Sequence, residues 1–123
     1  MELNWIAIIV GAIAAFMVGW LWYSQAVFGK KWAEGSKVEL GSASAMPVFA
    51  MLAQLAAVFL LALVVGITAT TDALVTAILA ILAATAFVVS NGAFVKKSNY
   101  ALIVDGGYII ISGVVMIVAQ AIF

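Results

Sequence analysis

The sequence predicts an all-α fold: an integral membrane four-helix bundle with both termini on the extracytoplasmic side. Three observations lead there. The 123-residue chain is 68% hydrophobic and only 8% charged, whereas a soluble domain averages roughly half apolar and a quarter charged residues. Charge is absent from Leu3 to Gly29, from Leu40 to Thr71 and from Ala73 to Val95, and past Lys97 only Asp105 carries one. The lysines fall in two clusters, Lys30, Lys31 and Lys37 in one and Lys96 and Lys97 in the other. A water-soluble domain this small exposes much of its surface, and so few charges would not cover it; lipid solvates the same side chains without penalty.

Crossing a hydrocarbon core of about 30 Å takes roughly 20 apolar residues in a helix. One domain, residues 1–123, accommodates that four times. The first helix, Leu3 to Ser24, is preceded by no basic segment and ends in Trp20, Trp22 and Tyr23, so it reads as a retained span, not a cleaved signal. The second runs from Pro47 to Ile67, with Ser44 as its cap and Pro47 in its first turn. Asp72 is expected to cap the third, Ala73 to Val95, and Ser98 or Asn99 the fourth, Asn99 to Ile122. Short lysine-rich loops stay in the cytoplasm, which puts both termini outside. Residues 25–46 form the one sizeable loop, and its Phe28-Gly29-Lys30-Lys31-Trp32 segment is expected on the membrane surface. There Trp22, Phe28 and Trp32 would dip into the interface while Lys30 meets headgroups.

In lipid, a polar side chain without a partner is costly, so the few intramembrane polar residues are the candidates for chemistry. Gln54, Asn91 and Asp105 lie at one level, roughly 7 to 11 Å inside the cytoplasmic boundary at 1.5 Å per residue. Asp105, Tyr108 and Ser112 share a face of the last helix. One reading makes Tyr23, Gln54, Asn91, Asp105 and Tyr108 a ligand pocket open to the cytoplasm, holding a proton, a cation or a small polar molecule. The other makes Asp105 and Asn91 interhelical hydrogen-bond glue, or pairs Asp105 with Lys96 or Lys97. Gly106-Gly107 lets a neighbouring backbone approach. Ala7, Gly11, Ala15 and Gly19 form a small-residue stripe, a packing seam within the chain or between protomers, and a dimer through it is the favoured assembly.

Cysteine and histidine are absent, which excludes disulfides, thiolate chemistry and the usual zinc, iron and haem sites. No metal or cofactor is expected. Sparse charge excludes a nucleic-acid surface, and no phosphate loop, nucleophile elbow or carboxylate pair is present, so the chain is not expected to be an enzyme. The function expected is a homo-oligomeric transporter-like or small-ligand- or ion-binding membrane protein. The alternative is a non-catalytic scaffold, accessory subunit or lipid-binding protein.

The run Gly19-Trp20-Leu21-Trp22-Tyr23-Ser24, the segment Phe28 to Trp32, Asn91, and Asp105-Gly106-Gly107-Tyr108 together resemble the family named domain of unknown function 1761. The resemblance covers nearly the whole chain. It implies a small four-helix protein of a bacterial or archaeal cell membrane, with no established activity. Trp22, Tyr23, Phe28, Gly29, Lys30, Trp32, Asn91 and Asp105 match the family's pattern. Gln25 departs from it, standing where many relatives are expected to carry proline, which implies a differently shaped turn after the first helix.

Overall fold

The computed structural model describes residues 2–24, 26–38 and 48–123. Five α-helices account for most of them: α1 (Trp5–Trp22), α2 (Gly29–Ser36), α3 (Val48–Ala69), α4 (Leu74–Phe94) and α5 (Asn99–Ile122), with no strand among the described residues. All except α2 are long and apolar enough to cross a membrane. The shortest of these, α1 with 18 residues, measures about 27 Å at 1.5 Å per residue.

Capping differs from expectation at one end. Ser98 Oγ accepts from Ala101 N at 3.1 Å and starts α5, and Asn4 Oδ1 does the same for α1 through Ala7 N at 3.1 Å. Asp72 does not cap α4, because its backbone is used to stop α3. Its φ is 53°, and the next amide, Ala73 N–H, reaches back to Thr68 O at 2.9 Å, closing α3 with a left-handed residue. Lys37 (φ 60°) ends α2 and Lys96 (φ 62°) ends α4 in the same manner, with Val38 N–H bonding Ala33 O and Lys97 N–H bonding Gly92 O, both at 3.0 Å. The expected cap Ser44, its companion Pro47, and Gln25 lie outside the described residues.

The packing centres on α5, which touches each of the other four helices. Its main partner is α1, and the stripe Ala7, Gly11, Ala15 and Gly19 is buried. A Cβ added to Gly11 would come within 3.3 Å of Met116 Cα on α5. The stripe, expected as a packing seam within the chain or between protomers, is thus packed within the chain against α5. Ile8, Val58, Ala62, Val65, Ala77 and Ile81 complete the core around Tyr108 and Met116.

The outer surface is as apolar as the core. Phe49 is 85% and Phe87 72% exposed, with Val75, Ile103 and Ile122 in similar positions. Water does not tolerate apolar faces of this extent on a monomer.

Where a surface loop was expected, the chain folds α2. Gly29, Trp32, Ala33 and Ser36 recur at helical spacing and turn toward the protein, while Lys30, Lys31 and Glu34 face outward. Helix α2 rests on α5, and Ser98 N–H donates to Gly35 O at 3.0 Å, fastening it to the α4–α5 turn. Both lysine-bearing segments thus meet at one end of the molecule. At the other end Ile8, Gly66 and Gln120 converge, close to the start of α1 and the ends of α3 and α5.

Candidate functional site

Asp105, on α5, is 6% exposed. Its Oδ1 accepts from Tyr23 Oη at 2.6 Å and from Trp32 Nε1 at 2.8 Å, and its Oδ2 pairs with Lys97 Nζ at 2.8 Å. The donors come from three segments: the residue closing α1, the middle of α2, and the turn before α5. One carboxylate therefore ties together pieces of chain that lie far apart in sequence. Charge-assisted hydrogen bonds of this kind are the stronger class.

Each donor is held by its surroundings. The Lys97 stem passes over Gly92, where an added Cβ would lie 3.3 Å from Lys97 Cδ, and its ammonium stands 5.4 Å from the Trp32 ring centroid. Trp32 meets Tyr23 edge-on at 4.9 Å, and Tyr23 meets Tyr108 edge-on at 5.7 Å. Tyr23 lies just beyond the α1 span. Burial, reinforced by the carboxylate it bonds, pushes its phenol above the ordinary tyrosine value, so it remains a donor.

Tyr108, one turn further along α5 and 2% exposed, does not join the carboxylate. Its hydroxyl donates to Ala15 O at 2.8 Å, in a slot that exists because Gly19 has no side chain: a Cβ there would lie 2.6 Å from the phenol oxygen. Trp22, expected at the membrane interface, ends α1 with its ring directed at α5. Its Nε1 donates to Val104 O at 2.9 Å, its ring lies against Gly107, and Phe28 packs on it with ring centroids 4.7 Å apart. Trp32, also expected to dip into lipid, is likewise directed at α5 by its indole N–H. Lys30 is exposed, as a headgroup contact requires.

Of the five pocket residues expected, the structure joins Tyr23 to Asp105 by a hydrogen bond and sets Tyr108 beside Tyr23. Asn91 is exposed on α4 and Gln54 half-buried on α3, and neither bonds to Asp105. What the pocket reading missed is Trp32. An indole N–H four residues past Phe28, at helical spacing with two lysines between them, was the available signal. Two cavities among the described residues lie elsewhere. One of about 400 Å³ opens between the ends of α3, α4 and α5 beside Thr68, Asp72 and Gln120, and an apolar groove of about 440 Å³ runs between Ile9 and Ile13 of α1 and Leu52, Leu55 and Phe59 of α3. Among the described residues, no group of three acidic side chains is placed to hold a metal ion.

An all-helical chain with four helices of membrane-crossing length, and a buried carboxylate clamped at one end, defines the class: a small candidate multi-pass membrane protein. The chain belongs to the family described as protein of unknown function (DUF1761), whose profile matches residues 6–120. That range includes Tyr23, Trp32, Lys97 and Asp105. Comparison with curated proteins and with solved structures finds no match.

Proposed function

We propose that this protein is a non-catalytic component of the cytoplasmic membrane of a bacterium or archaeon. Its four long helices cross the bilayer with both termini outside, and its α2 lies on the cytoplasmic face as a fixed platform. The observation that carries this reading is the occupancy of Asp105. A carrier or ligand site needs a carboxylate with room beside it, whereas here Tyr23, Trp32 and Lys97 supply direct donors to both oxygens. The apolar exterior supports the bilayer, and the gathering of the lysines at one end supports the orientation.

The transporter-like reading is the outcome that would displace this one. Proteoliposomes carrying the protein and its Asp105→Asn variant, assayed for proton and cation flux, decide between them. We expect any flux to be no greater than that of empty vesicles, and unaltered by the substitution. A flux abolished by Asp105→Asn in protein that remains folded at the assay temperature would make Asp105 a transport residue and overturn the proposal.

A further inference from the structure

We propose that the lysine-bearing end is a binding surface for anionic phospholipid headgroups, built from Lys30 and Lys31 on α2, Lys37 at its close, and Lys96 between α4 and α5. The inference rests on the membrane reading above and adds the partner that the platform meets.

Tertiary structure brings these cations together. The Ser98–Gly35 backbone bond fastens α2 to the α4–α5 turn, so side chains some sixty residues apart in sequence share one surface. The four ammonium groups belong to exposed residues, whereas Lys97, the fifth, is engaged by Asp105. Among the described residues Glu34 is the exposed acid at this end. The surface is cationic and wet.

Backbone conformation singles out two of them. Lys37 and Lys96 occupy left-handed positions at helix ends, where glycine is the residue of least strain. The helix stop requires that backbone, but nothing in it requires lysine. A cation at a helix C-terminus does gain from the helix dipole. Yet Asp72, in the same conformation at the opposite end, is an acid. The choice of charge follows the end of the molecule, as a surface facing anionic lipid would demand.

Height also fits. Trp20, Leu21, Phe94 and Val95 are exposed apolar residues at the ends of α1 and α4, next to the lysines. They mark where hydrocarbon gives way to headgroups, so the ammonium groups emerge at phosphate level. Lys31 is steadied 5.3 Å over the Tyr100 ring.

The test uses the full-length protein in nanodiscs of phosphatidylcholine alone or mixed with phosphatidylglycerol, with retained lipids counted by native mass spectrometry. Phosphatidylglycerol should be retained in preference, and the preference should fall by roughly fivefold per lysine changed to glutamine at positions 30, 31, 37 and 96. It should also weaken with salt in the unmodified protein, a measurement that survives if the variants misfold. Equal retention of both lipids, or a preference indifferent to salt, overturns the inference while leaving the membrane reading intact. Displacement of phosphatidylglycerol by inorganic phosphate alone would also overturn it, showing a phosphate site and not a lipid surface. Failure to insert even into phosphatidylcholine would instead defeat the membrane reading.

Discussion

Removing the Asp105 carboxylate should unfasten α2 before it unfolds the bundle. In Asp105→Ala, Tyr23 Oη and Trp32 Nε1 lose the acceptor they hold at 2.6 and 2.8 Å, and Lys97 loses its counter-ion at 2.8 Å. A hydrogen bond to a charged acceptor contributes about 1.5–3 kcal/mol, which applies to the two aromatic donors. The Lys97 side chain is 23% exposed and can swing to water, so its pair contributes only about 1 kcal/mol. With partial rearrangement of the donors, the expected loss is about 3–5 kcal/mol. Asp105→Asn keeps one acceptor oxygen for the aromatic donors and turns an N–H₂ group toward Lys97, so about 2 kcal/mol is expected there.

Both numbers can be read separately from the local effect. Because the chain has no cysteine, a spin label on Glu34→Cys, an exposed site on α2, reports that helix alone. Thermal unfolding in detergent gives the global loss, and the label's rotational mobility gives the release of α2. Trp32→Phe alone should cost about 1–2 kcal/mol, and little more in the Asp105→Ala background, since both remove the same bond. An Asp105→Ala protein with unchanged melting temperature and an equally immobile label would refute the reasoning.

Other outcomes follow from the same geometry. Gly19→Ala forces a methyl group against the Tyr108 phenol, where an added Cβ lies 2.6 Å from the hydroxyl; a loss of about 1–3 kcal/mol in thermal unfolding is expected, relieved in part by adding Tyr108→Phe. Asp72→Gly removes a left-handed non-glycine residue (φ 53°) at an exposed turn, and should stabilise by about 0.5 kcal/mol; a lower melting temperature would count against the backbone assignment. Single cysteines at Lys37 and Asp72, probed in intact cells with a membrane-impermeant maleimide, should label only at position 72, and labelling at both would contradict the orientation.

Much of this architecture is legible in one dimension. A backbone in oil must satisfy its own hydrogen bonds, so each long apolar run coils where it stands, and the four long helices occupy four such runs, only the last of which carries a charge, Asp105. Parity then brings the two lysine clusters to one end, because an even number of crossings separates them. Ser98 before an apolar run starts α5 by a contact three residues long. Local rules suffice for all of these.

Direction around each helix is another matter, and there sequence alone ran out. Asn91 and Asp105 lie at similar depth, but depth is one coordinate; packing turned Asn91 to the outside and Asp105 to the inside. The stripe on α1 announced a close neighbour without saying which, and within the chain α5 packs against it. Trp22 and Trp32 carried the composition of an interface belt, yet both rings found acceptors on α5. An indole at a membrane boundary is equally content facing headgroups or a buried oxygen, so its choice depends on which acceptors the fold brings within 3 Å, and only the assembled helices set that.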